Sequence, residues 1–209
     1  MAHRTNLAIL GALGLCAAAL VVLDGELGVP VAMLRWPVIF GVLTLGAHQL
    51  LDLWLWRLIP SIRRPVLRGT WKATLRSNWT DPTTGQQLGD IEAYVTVRQT
   101  LTSLHMRLMT TESVSRVLVA DIHESAPDRF TLTGVYQSVP RAGDQRGSRI
   151  ASDPHRGIIM LTLTSRRPAS IQGHYFTDRD TQGQISLSGH KAACIESFQR
   201  ARRLLRAAA

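Results

Sequence analysis

Hydrophobic positions follow two different rules on either side of residue 60. Before it they are continuous: residues 7–23 form an uncharged run, and residues 36–58 form a longer one. Asp24, Gly25, Glu26, Gly28 and Pro30 lie between them. At about 1.5 Å per helical residue the first run reaches roughly 25 Å, the short end of a bilayer span. The pattern therefore predicts a transmembrane helical hairpin over residues 1–60. Loop charge orients it. His3 and Arg4 precede the first run, and Arg57, Arg63, Arg64 and Arg68 follow the second. The positive-inside rule then places both termini in the cytoplasm. A signal peptide cleaved near Ala17–Ala19 is the competing reading, and a second hydrophobic run directly behind the first argues against it.

Beyond a short basic linker at 61–67 the pattern becomes alternating. Val95 and Val97 alternate with Thr96 and Arg98; Leu104, Met106 and Leu108 alternate with His105 and Arg107. Period-two alternation gives a strand one dry face and one wet face. Runs of this kind cover residues 68–79, 90–99, 101–110, 113–124, 129–138, 157–164, 170–177 and 184–191. Turn formers separate them, so neighbouring strands pair antiparallel. The prediction is a compact eight-stranded up-and-down β-barrel over 68–191, because closure removes exposed edges; a β-sandwich is the alternative. An eight-stranded barrel can hold one small ligand in its mouth. The irregular, arginine-bearing stretch 141–154 reads as a lid over that mouth or as a tolerated insertion. Residues 195–206, within a basic tail at 192–209, read as an amphipathic helix. It has Ile195, Phe198 and Leu205 opposite Arg200, Arg203 and Arg206, and it caps the barrel or lies on the membrane.

Composition sharpens this division. Of 24 basic residues only Arg4, Arg35 and Arg57 precede residue 61, and only Lys72 and Lys191 are lysines in a net charge of +9. Arginine grips phosphate in bidentate fashion, although lipid headgroups satisfy the same charge. Cys16 and Cys194 form no disulfide framework, which points to a reducing compartment. His48 and Asp52 share a helix face inside the second run and read either as a helix-helix contact or as a wet interfacial pair.

No catalytic signature is present. The histidines are scattered without zinc-site spacing, and there is no glycine-rich phosphate loop or nucleophile elbow. The chain reads as a binding protein and not an enzyme, with no metal or other cofactor. Tyr175, Thr177 and Arg179 lie two apart and point the same way, as do Tyr136 and Ser138. An aromatic face stacks on a base, and an arginine with neighbouring hydroxyls clamps a phosphate.

The two hydrophobic runs, Gly69-Thr70-Trp71, the stretch Thr110 to Arg116 with Ser113 and Ser115, and the run Gly173 to Ile185 together resemble a bacterial effector family. These are the two-transmembrane β-barrel effectors associated with CD-NTase enzymes in CBASS anti-phage signalling. The resemblance implies a cyclic dinucleotide ligand made by a cognate nucleotidyltransferase, a homo-oligomer formed on activation in the bacterial inner membrane, and disruption of membrane lipids that arrests or kills the infected cell. No DNA or RNA polymer is expected as partner. The residues expected to bind the ligand are Thr110, Ser113 and Ser115 together with Tyr136, Tyr175, Thr177 and Arg179. Two other readings stay open: a lipocalin-like membrane-anchored carrier of a small apolar molecule, and a non-enzymatic adaptor.

Overall fold

The computed structural model describes residues 31–81, 85–87, 89–140 and 154–206, with side chains from residue 39 onward. The expected first span at 7–23 lies outside the described residues, as does the 141–153 part of the stretch read as a lid. The chain divides into two compact units, residues 1–58 and 59–209.

In the first unit, helix α1 covers Val31–Leu53 and a single 3-10 turn follows at Leu55–Arg57. The helix stops short of Leu58 because Trp54 leaves the helical region at φ −144°. The turn is tied back to the helix end: the Arg57 guanidinium donates to the Leu53 carbonyl at 3.0 Å and lies 5.7 Å over the Trp56 ring. Phe40, Leu43 and Leu50 are exposed along α1. Among the described residues no helix is long and apolar enough to cross a membrane.

The second unit is a closed antiparallel barrel of eight strands, each paired with its neighbours in sequence and β8 with β1. The strands are β1 Gly69–Ser77, β2 Ile91–Gln99, β3 Leu104–Met109, β4 Ser113–Ala126, β5 Arg129–Pro140, β6 His155–Leu163, β7 Ile171–Thr177 and β8 Gln182–Lys191. Alternation explains this closure: Trp71, Ala73 and Leu75 of β1 are buried while Lys72, Thr74 and Arg76 between them are less so. Inward side chains from all eight strands then share one core, and every backbone edge is paired. The third strand is shorter than the expected 101–110, since residues 100–103 form a turn in which Ser103 and Thr100 bond each other. Strands β4, β5, β6 and β8 run beyond their expected limits.

The two ends of the barrel differ. At the end where β1 begins, Trp71, Phe130, Leu132 and Leu163 fill the interior, each at most 2% exposed. The expected linker is part of this plug. Leu67 is 1% exposed and its carbonyl accepts the Trp71 indole N–H at 3.0 Å. The Gln99 side chain accepts the Leu67 N–H and donates to the Pro65 carbonyl, both at 2.7 Å. The Gly69-x-Trp71 pattern thus marks where the chain turns into the barrel floor.

The C-terminal helix, α2 at Phe198–Arg206, begins three residues later than expected and does not cap the barrel. Its Phe198, Ala201 and Leu205 pack with Ile195 on outward-facing Tyr94 of β2 and Met109 of β3. The preceding segment is clipped to the outer wall. The Thr70 hydroxyl donates to the Ala193 carbonyl and accepts the Ile195 N–H, and the Thr96 hydroxyl donates to the Ile195 carbonyl. This explains why β2 is buried on both faces. Of the arginines expected on the polar face, Arg206 finds a carboxylate: it shares Glu92 with Arg202, and Arg98 of β2 pairs with Glu196. Burial alone would raise the Glu92 carboxyl, yet the hydrogen bond from Tyr94 and the two arginines outweigh it and leave it below the ordinary range.

Candidate functional site

The other end of the barrel is open. A cavity of about 500 Å3 descends from it, within the roughly 300–1,000 Å3 of small-molecule sites. Its deep part is aliphatic, with Leu75, Val95, Met106, Val117, Ile159 and Ile185. Its upper part is a ring of hydroxyls and aromatics from the last or first residues of every strand pair. All seven residues expected to bind ligand lie on its wall: Thr110 and Ser113 at the β3–β4 turn, Ser115 on β4, Tyr136 on β5, and Tyr175, Thr177 and Arg179 on β7 and the turn behind it.

Two turns of the rim are built on the same plan. In the β3–β4 turn the Thr110 hydroxyl accepts the N–H groups of Glu112 and Ser113 at 3.2 and 2.9 Å and meets the Ser113 hydroxyl at 3.1 Å. In the β7–β8 turn the Thr177 hydroxyl accepts the N–H groups of Arg179 and Thr181 at 3.2 and 3.3 Å and meets the Thr181 hydroxyl at 2.6 Å. Such local side-chain bonds are how threonine shapes turns. Thr110 and Thr177 therefore act as much on the backbone as on the cavity. The second turn also holds Asp180 at φ 56° and presents Arg179, which is exposed at the rim.

The tyrosines lie deeper, 8% exposed at Tyr136 and half-buried at Tyr175. Burial pushes the Tyr136 phenol well above its ordinary value, with Tyr175 and Asp178 acting in the same direction. Burial also raises Tyr175, and a hydrogen bond with Ser77 pulls it partly back. Both therefore remain protonated near neutral pH, as hydrogen-bond donors. Each ring rests against a glycine: Tyr136 is paired with Gly157 across β5–β6, and Tyr175 with Gly183 across β7–β8.

Several wall residues were not anticipated. Ser77 and Trp79 continue the inward period of β1 past Leu75 and were legible by that spacing. His155 packs edge-on to Tyr136, with ring centroids 6.2 Å apart, and Thr181 is placed by its bond to Thr177. His155 has no local sequence signal, since it depends on cross-strand position, whereas Thr181 lies four residues from Thr177 in one turn and continues the spacing of Tyr175, Thr177 and Arg179. Of the other histidines, His105, His123 and His174 are exposed outside the cavity, and His190 stacks on Trp71 at 4.4 Å near the floor. Among the described residues no group of histidine, cysteine and acidic side chains could hold a metal ion.

An aliphatic pit beneath a ring of hydroxyls, phenols and one guanidinium, in a barrel plugged at its other end, defines a small-molecule receptor of amphiphilic ligands. The family described as "Cap15, cyclic dinucleotide receptor domain" matches residues 62–188. The chain belongs to that family of CBASS effector domains, as the resemblance in its sequence implied. No curated protein matches it.

Proposed function

We propose that the chain is a membrane-anchored effector whose barrel takes a cyclic dinucleotide into the mouth cavity, and whose N-terminal hairpin delivers the response to the inner membrane. The observation that carries this reading is the vertical division of the cavity. A cyclic dinucleotide has flat, poorly hydrated base faces and two anionic phosphates. The bases suit the pit below and the faces of Tyr136 and Tyr175. The phosphates suit the rim, where Arg179 supplies charge and Ser113, Ser115 and Ser138 supply hydroxyls. A carrier of an apolar molecule has no use for that hydroxyl ring. No catalytic step is required of any residue.

Occupancy favours an assembled state of copies in one membrane, by the difference in ligand affinity between the assembled and separate forms. Anchoring raises the local concentration of barrels, and clustered hairpins then disturb the bilayer and stop growth of the infected cell. The test is calorimetric titration of the full chain in detergent with a panel of cyclic dinucleotides at two salt concentrations. Saturable binding that weakens with salt is expected; no binding to any member of the panel overturns the reading.

A further inference from the structure

The outer wall of β4–β7 carries a pattern that the cavity does not explain. Val119 pairs with Val135, Val135 with Ile158, and Ile158 with Phe176, so these four outward side chains form one row across four strands. They are 69%, 43%, 45% and 44% exposed. A contiguous apolar row of this kind on a water-facing wall marks an interaction surface.

Rows with charged or titratable ends flank it on both sides, the floor-side one interrupted by exposed Met160. Towards the mouth, Arg116 pairs with Gln137 and Gln137 with Arg156. The Arg156 N–H in turn donates to the Asp178 carboxylate at 3.1 Å. Towards the floor, Asp121 pairs with Thr133, Thr133 with Met160 and Met160 with His174. The two edges of the patch therefore read in opposite senses. From mouth to floor β4 shows Arg116, Val119 and Asp121, and β7 with its continuation shows Asp178, Phe176 and His174, all exposed.

We propose that this face pairs with the same face of a second copy of the chain, about a two-fold axis running along the strands of the patch. That axis exchanges β4 with β7 and β5 with β6 while keeping each row at its own level. Arg116 then meets Asp178 of the second copy, Asp121 meets His174, and Val135 meets Ile158 at the centre. An isologous contact is self-complementary in this way. A two-fold laid across the strands would instead set Arg116 on Asp121 and Asp178 on His174, which charge alone tolerates, but it would turn the two mouths to opposite sides. The chosen axis keeps both mouths pointing to one side and both floor ends, where residues 59–68 lead into β1, to the other. The inference rests on the anchored reading above for that last point, since two copies in one membrane need their tethers on the same side.

The test uses the full chain with Cys16→Ser and Cys194→Ser, reconstituted in vesicles of phosphatidylethanolamine and phosphatidylglycerol. Val135→Cys, beside the axis, is expected to cross-link into dimers, and Ser186→Cys on the exposed opposite wall is not. In the Val135→Cys background Arg116→Asp should abolish cross-linking, and adding Asp178→Arg should restore it. Cross-linking at Val135→Cys no greater than at Ser186→Cys overturns the interface. Rescue by Asp121→Arg in place of Asp178→Arg overturns the axis. Alkaline carbonate extraction of the same vesicles reads the anchoring separately: release of the chain refutes the membrane reading without bearing on which face pairs.

Discussion

Tyr136 and Gly157 face each other across the β5–β6 ladder, and a methyl group on Gly157 would lie 2.6 Å from both the Tyr136 hydroxyl and its ring carbon Cζ. The glycine lets the ring lie against the barrel wall and leave the cavity open. Gly183 does the same for Tyr175, where an added methyl would lie 2.6 Å from the hydroxyl. Glycine within a strand often marks such a close approach. Gly157→Ala is therefore expected to push Tyr136 into the cavity and also to strain the ladder at the Phe176 carbonyl, at a cost of about 1–3 kcal/mol. Titration and thermal melting read the two effects. Ligand binding should be lost in protein that still melts cooperatively, and unchanged affinity would remove the role assigned to the pair.

Arg179 stands at the rim on a turn held by Thr177. Arg179→Ala should weaken ligand binding by roughly ten- to a hundredfold, the size of a charge-assisted hydrogen bond of about 1.5–3 kcal/mol. It should also flatten the salt dependence of the affinity. An equal salt dependence in wild type and variant would show that the phosphates lie elsewhere.

Thr177 holds the turn that presents Arg179, so its effect on affinity is expected to run through the backbone. Thr177→Val removes the acceptor of the Arg179 and Thr181 N–H groups and should cost about 1 kcal/mol of stability. Affinity should fall with it, because Arg179 is no longer held. Thr177→Ser keeps the acceptor and should recover both, which separates turn building from contact through the methyl group.

The docking of α2 should depend on pH in a definite sense. Glu92 is held below the ordinary carboxyl range, so its contribution is present above that range and is lost as pH falls through the folded value. Tyr94 is pushed up to about 12 by burial and by Glu92, so its contribution is lost only as pH rises towards that value. Glu92→Gln should lower the melting temperature at neutral pH, and the gap from wild type should close below about pH 4. A gap independent of pH would assign the loss to packing instead.

Phe198 is 1% exposed and meets the Tyr94 ring edge-on at 5.3 Å. Phe198→Ala should cost about 3–5 kcal/mol if α2 stays folded onto the barrel. Limited proteolysis should then cut the helix Phe198–Arg206 first, since it loses the largest of its apolar contacts with the outer wall while Ala193 and Ile195 stay bonded to Thr70 and Thr96.

Much of the barrel was legible because alternation is local. Leu104, Met106 and Leu108 declare their shared face within six residues, and the same rule applied along the chain gives eight strands in the order later found in the sheet. The candidate site was legible for the same reason. Tyr175, Thr177 and Arg179 share a direction by spacing alone, and the serine-bearing turn at Thr110–Ser113 stands out by composition. His155 was not legible, since it is placed by Tyr136 on another strand, whereas Thr181 follows from the local spacing of Tyr175, Thr177 and Arg179.

What the sequence by itself determined was therefore the set of strands, their inward faces, their family and the chemistry gathered at the turns. Only the tertiary structure decided which end of the barrel is open. That depended on Leu67 and Trp71 filling the floor, a packing choice between residues that any hydropathy pattern treats alike. It also decided that the basic tail covers β2 and does not cap the mouth, because Tyr94 and Met109 offer Phe198 and Leu205 an apolar seat on the outside of the wall. The facing of Tyr136 with Gly157, and of Val119 with a row ending at Phe176, follows from register. Register joins residues far apart in the chain, and it exists only once the barrel has closed.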